Sequence, residues 1–163
     1  MRRRERGFTL IELLVVVGII GVLAAIAIPN MLVAIQRAKQ KRTMASIKAI
    51  STAWEARASD VSAYNAGGTS AGMLGASNLI MATDVEAMVA PTYIKTIPKL
   101  DGWNQAFNIF LDQPIGGSNA SRYVIVSAGQ DGVFQSDPAA GAITNFDCDI
   151  VFSNGQFVTY PPQ

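Results

Sequence analysis

The chain has no histidine. That removes the side chain that titrates near neutral pH, the usual general base and the commonest transition-metal ligand. It holds one cysteine, Cys148, so no disulfide can form within the chain. A lone cysteine of this kind reads as a small apolar residue rather than a reactive thiol. Charged residues are few, 15% of the total, and they nearly cancel to a net +1. Beyond its first few residues the chain is near neutral, which does not point to nucleic acid. There is no Gly-rich phosphate loop and no internal repeat. These absences leave little room for an enzyme and direct attention to structural or binding roles.

What the chain does have is concentrated at its start. Arg2, Arg3, Arg4 and Arg6 form a short basic head that ends at Gly7. Beyond it an apolar run continues from Phe8 to Ile28, broken by one carboxylate, Glu12. The run is about long enough to span a bilayer. A carboxylate at the centre of such a helix costs roughly 2.5 to 3.5 kcal/mol, and less near an end. An anchor alone would carry leucine there, so Glu12 requires a function and a partner. Three readings compete. A cleaved secretory signal would use Ala25-Ile26-Ala27 as its cut site, and a plain signal anchor would keep the run in the membrane. Glu12 interrupts what should be an unbroken apolar core, and a helical pattern continues past Pro29. Both observations disfavour a cleaved signal.

The block Gly7-Phe8-Thr9-Leu10-Ile11-Glu12 resembles the processing motif of type IV prepilins and of the pseudopilins of type II secretion systems. The resemblance implies that a membrane-embedded prepilin peptidase cuts between Gly7 and Phe8 and that the new α-amino group is methylated. It implies that Glu12 pairs with the N-terminal amine of a neighbouring subunit during filament assembly. Removing residues 1–7 takes away four arginines and one glutamate, leaving nine basic and eleven acidic residues, a net −2. The basic head should stay cytoplasmic and send the rest of the chain outward. The expected organisation is a leader over 1–7, a transmembrane and filament-core helix over 8–28, and an exported domain over 29–163. The expected location is the inner membrane, with the exported domain periplasmic, and then a periplasmic or extracellular filament.

One long helix is predicted from about Phe8 to about Ser59. Its first half is apolar all round. Its second half is amphipathic, with Ile47, Ile50, Trp54, Ala58 and Val61 forming one stripe. Arg37, Lys39, Lys41, Arg42 and Lys48 lie just beyond the membrane, as a solvated face or in contact with acidic neighbours or lipid head groups. Gly18, Gly21 and Pro29 predict a kink or local break. A loop is expected over 66–75. A short helix should follow, with Thr83 as its N-cap, Glu86 reaching back, and Pro91 ending it. Strands are predicted over 107–111, 123–127, 149–152 and 156–160. The turn Pro114-Ile115-Gly116-Gly117 should join the first two, and Ser153-Asn154-Gly155 should close a hairpin between the last two. The fold class is therefore α+β: a long N-terminal helix, membrane-spanning in its first half, packed on a small antiparallel sheet, in the manner of a pilin.

A second resemblance covers the C-terminal half. Tyr93 to Asn104, Tyr123 to Gly132, and Asp147-Cys148-Asp149-Ile150 resemble segments of the major pseudopilin of type II secretion, whose loop binds calcium. Gly102 stands where a proline is common, a glycine expected after Trp103 is absent, the stretch from Gly132 to Asp147 is longer, and the strand over 156–160 is extra. These departures leave an adhesion, motility or DNA-uptake pilus open. Calcium takes six to eight oxygen ligands. Asp131, Asp147 and Asp149 could supply three carboxylates around one loop, and Ser127 and nearby carbonyls could add more. The spacing is not that of an EF-hand. Alternatively, Asp131-Gly132 is only a turn, Asp147 a solvated acid and Asp149 a strand-edge residue; Asp137 before Pro138 reads as a turn residue. The function implied is a non-enzymatic filament subunit. Its partners would be its own copies, the peptidase, an inner-membrane assembly platform and minor pseudopilins. A membrane-anchored exported binding module is the alternative of another class, but it leaves Glu12 unexplained.

Overall fold

The computed structural model of the protein describes residues 7–61, 79–112, 122–135, 140–143 and 145–161. The expected loop at 66–75, the turn at 114–117, the Asp137-Pro138 pair and the arginines of the leader lie outside these residues. The chain divides into two units, Met1–Arg37 and Ala38–Gln163. One helix, α1 (Leu10–Val61), contributes to both.

In the first unit, α1 opens on a reciprocal cap. The Thr9 hydroxyl accepts the Glu12 backbone N–H at 3.3 Å, and Glu12 Oε2 accepts the Thr9 N–H at 2.8 Å. This is a capping box, which satisfies donors that a helix start leaves without partners. The break expected at Pro29 is absent, since α1 runs unbroken through Gly18, Gly21 and Pro29. A proline removes one intrahelical bond, and here the side-chain amide of Asn30 adds one to the Ile26 carbonyl at 3.3 Å. The large apolar side chains from Phe8 to Ile35 are solvent-exposed. By length and composition α1 is long and apolar enough to cross a membrane.

In the second unit, α1 is amphipathic. Gln40, Thr43, Ile47, Ile50, Ser51, Trp54 and Ala58 recur at helical spacing and are buried. Val61, expected on the same stripe, is exposed, as are Ser59 and Asp60, so the last turn stands clear of the core. The buried stripe packs on a six-stranded sheet: β1 (Leu79–Ile80), β2 (Asn108–Leu111), β3 (Tyr123–Ser127), β4 (Gly141–Ala142), β5 (Ile150–Ser153) and β6 (Gln156–Tyr160). The order is β1-β2-β3-β5-β6-β4. All pairings are antiparallel except β4 with β6, which is parallel. The sheet is therefore mixed at one edge rather than wholly antiparallel.

The two-residue alternation of the strands divides their side chains between two faces. Ile109, Leu111, Tyr123, Ile125, Ile150 and Phe152 join Ile47, Ile50 and Trp54 in the main core. Phe110, Val124, Val126 and Val151 form a second, smaller cluster, against which Phe134 and Val158 pack. Asn154 and Gly155, at φ of 46° and 87°, make the tight β5–β6 turn that the Asn-Gly pair predicts. The Tyr123 hydroxyl donates to the Glu55 carboxylate, and it lies 2.9 Å from the Ser51 hydroxyl, tying β3 to α1.

The short helix α2 (Ala82–Val89) starts earlier than expected, with Met81 as its N-cap in place of Thr83. Asp84 rather than Glu86 reaches back, accepting the Met81 N–H at 2.9 Å. Glu86 instead pairs with Lys99 at 2.6 Å, a bond that holds its carboxyl below the usual range. The helix ends at Val89, just before Pro91 as expected.

Candidate functional sites

The N-terminal site is built by the first turn of α1. Phe8 is 85% exposed, and a β-carbon placed on Gly7 would meet nothing within 4 Å. Any intolerance of bulk at Gly7 therefore comes from whatever cuts the chain and not from the fold. The Glu12 carboxylate is held by its own turn, since Oε2 also accepts the Thr9 hydroxyl at 2.9 Å. The sequence reading missed Thr9, although Thr-x-x-Glu ahead of an apolar run is a legible capping signal.

The second site lies where the β3 end, residues 128–135 and residues 145–149 meet. Gly129 sits at φ 68°, and a β-carbon there would lie 2.9 Å from the carbonyl oxygens of both Asp147 and Cys148. Only glycine admits this approach of the two backbones. Gln130 N–H donates to the Phe146 carbonyl at 2.8 Å. Asp149 is 1% exposed, its Oδ2 accepts the Gln135 N–H at 2.9 Å, and its Oδ1 has no hydrogen-bond partner. Burial pushes its carboxyl up to about 6; the Gln135 N–H opposes the shift and the charge of Asp131 adds to it. Asp131 is exposed and accepts the Val133 N–H at 3.0 Å. Asp147 is exposed too, and its N–H and that of Cys148 both donate to Asn145 Oδ1 at 3.0 Å. Cys148 is half-buried against the main core, in keeping with a small apolar role.

Ser127 takes a different place. It is buried, and its hydroxyl donates to Asp101 Oδ2 at 2.6 Å. Asp101, also missed by the sequence reading, accepts the N–H groups of Trp103 and Gln105 through Oδ1 at 2.8 and 2.9 Å. Beside it, the Gly102 N–H donates to the Thr43 hydroxyl at 2.8 Å. A β-carbon on Gly102 would lie 2.3 Å from the Lys39 carbonyl oxygen. The Asp101-Gly102 turn thus joins α1 to β3. Among the described residues no group of three His, Cys, Asp or Glu side chains is placed to hold a metal ion. What those residues do include is a buried carboxylate with an orphaned oxygen and an exposed second carboxylate whose charge acts on it. Carboxylate oxygens are hard donors of the kind calcium takes.

The basic residues beyond the apolar run are largely solvated. Arg37, Lys41 and Arg42 are exposed, and the Lys48 ammonium sits 5.2 Å from the Phe152 ring centroid.

An exposed apolar helix, opened by a Thr9–Glu12 cap, and a separate α+β unit define a pilin-like class of protein. The family model described as "Prokaryotic N-terminal methylation motif" matches residues 2–28. Type II secretion system core protein G of Klebsiella michiganensis is 31% identical over 144 residues, covering 86% of this chain and 94% of that protein. Core protein G of Dickeya chrysanthemi is 29% identical over 143 residues, covering 86% and 88%. Type IV major pilin protein PilA of Myxococcus xanthus is 50% identical over 62 residues, but these are 38% of this chain and 28% of the pilin. No solved structure matches the chain. The chain belongs to the pseudopilin family of the type II secretion core protein G, within the wider type IV pilin superfamily.

Proposed function

We propose that the protein is the major pseudopilin of a type II secretion system, a non-enzymatic subunit that self-assembles into a helical filament. One observation carries the reading: the similarity to core protein G runs through 86% of the chain, whereas the pilin match covers 38%. In this reading the subunit is stored in the inner membrane by the apolar part of α1, with its N-terminus cytoplasmic and its α+β unit periplasmic. A prepilin peptidase removes residues 1–7, and Phe8 becomes the methylated N-terminus. Glu12 then exchanges its bonds to Thr9 for the N-terminal amine of a neighbouring copy. An ion pair in a low-dielectric environment offsets part of the burial cost and fixes axial register. The inner-membrane platform and minor pseudopilins are the further partners. Deletion of the gene in the native host tests the reading. Exoproteins should accumulate in the periplasm while surface motility persists; lost motility with normal secretion would favour an adhesion or motility pilus.

A second reading concerns the loop site, and the orphaned Asp149 Oδ1 favours it. Asp131 and Asp149 would hold a calcium ion, with Asp147 contributing from the same loop. The ion supplies positive charge between acids that otherwise repel. Ser127 stands outside this set, because its hydroxyl is committed to Asp101.

A further inference from the structure

Positive charge gathers on α1 where the second unit begins, at Ala38. Lys41 and Arg42 are exposed, and Lys39 is half-buried. The chain carries no carboxylate between Glu12 and Glu55. None of the three cations forms a salt bridge with a described residue. Beside them stands the turn from Asp101 to Gln105. Its Gly102 N–H donates to the Thr43 hydroxyl, and Gly102 lies too close to the Lys39 carbonyl to admit a β-carbon. The next residue is Trp103, half-buried against the main core. Asp101, the one carboxylate of the turn, is buried and committed to the Ser127 hydroxyl and to the Trp103 and Gln105 N–H groups. The cations are therefore left to an outside partner.

We propose that Lys39, Lys41 and Arg42, with Trp103 beside them, form a seat for anionic phospholipid head groups on the outer leaflet of the inner membrane. It rests on storage of the subunit in that membrane, and it adds what the exported unit binds there. Ile35 is the last large apolar side chain exposed on α1 before Val61. Lys39 to Arg42 follow it by about 6 to 10 Å at helical rise. A head-group layer is roughly 5 to 8 Å thick, so these cations fall at its depth. Tryptophan is enriched at the same depth, where an apolar ring and a polar N–H are both accommodated. Cations close to a span also favour the cytoplasmic side, so a basic cluster on the exported side opposes export. Removal of residues 1–7 deletes the four leader arginines, and every basic residue that remains lies at Arg37 or beyond. Anionic head groups at the outer surface offset that imbalance and hold the stored unit against the membrane. The attraction is electrostatic, so salt weakens it.

The test uses the processed full-length chain in nanodiscs of phosphatidylcholine, with or without phosphatidylglycerol. Native mass spectrometry counts the lipids retained, and hydroxyl-radical footprinting reads side-chain exposure. The chain should retain phosphatidylglycerol severalfold over phosphatidylcholine from the mixed discs. Trp103 labelling should fall when phosphatidylglycerol is present and recover in high salt, while buried Trp54 stays protected throughout. The triple variant Lys39→Gln, Lys41→Gln, Arg42→Gln should insert and keep Trp54 protected, yet lose the preference. Arg42→Lys should keep it. An inserted chain that retains both lipids equally, with Trp103 labelled alike, would overturn the seat and leave the membrane-stored subunit standing. Failure to insert into either disc would overturn both. A triple variant that keeps its lipid preference but builds few filaments would assign these cations to a neighbouring copy, and the lipid seat would fall.

Discussion

At the residue scale, the proposed processing and assembly turn on Gly7, Phe8, Thr9 and Glu12. Gly7 has open space around it, so Gly7→Val should leave the fold intact and block maturation. Mass spectrometry of the native protein should find N-methylated Phe8 as the first residue; a mature chain beginning at Ile28 would support an ordinary signal peptide instead. Glu12→Leu removes the charge that opposes insertion, so the variant should enter the membrane at least as well. It should nevertheless build few filaments, counted by electron microscopy or by shearing and immunoblotting. Normal filament numbers would remove Glu12 from assembly. As candidates these residues were legible in the sequence, because a carboxylate in a membrane-length apolar run needs an explanation. Thr9 was legible too, as the hydroxyl of a capping box, although the apolar run drew attention away from it. Ser127 was not. Its type and position suit a metal ligand, and only the fold shows Asp101 taking its hydroxyl.

At the scale of elements, local signals worked where a short segment sets its own geometry. Asn154-Gly155 closed the hairpin as expected, because both residues tolerate positive φ. The two-residue strands β1 and β4 carry too few side chains to show any alternation, and they exist only by pairing with neighbours. At Pro29 the outcome depended on context: a long helix can lose one hydrogen bond without breaking. The Asp101-Gly102 turn was hidden for the same reason, since its meaning lies in α1. Gly102→Ala would drive a β-carbon into the Lys39 backbone, and overpacking of this kind costs about 1–3 kcal/mol. Chemical denaturation followed by Trp103 fluorescence should show a loss in that range. An unchanged midpoint would mean that the turn shifts away from α1 without cost. A proline at this position would also lose the N–H that donates to Thr43.

At the scale of the whole molecule, the chain must connect Gly132 to Phe146 with no disulfide available. Closing a long connection has an entropic cost that grows slowly with its length. The fold contributes the Phe134 stack and two carboxylate anchors, but Asp149 then keeps one buried oxygen without a partner. A buried acid left in this state is costly unless something compensates it. The two acids stand out in the sequence; the close approach of the Asp147 and Cys148 carbonyls to Gly129 is something spacing alone does not reveal. A cation that binds only the folded state would stabilise it by about 2.7 kcal/mol at about a hundredfold excess over Kd. The processed chain in detergent should therefore melt at a higher temperature in calcium than in chelator. Asp149→Ala lowers stability in both conditions, because the Gln135 N–H loses its acceptor, so the informative quantity is the difference between the two melting temperatures. That difference should nearly vanish in Asp149→Ala and shrink in Asp131→Ala, whereas Ser127→Ala should keep it in full. Equal melting of the parent chain with and without calcium would remove the metal from the loop. The filament reading would survive that result, because it rests on the prepilin segment and on similarity along 86% of the chain.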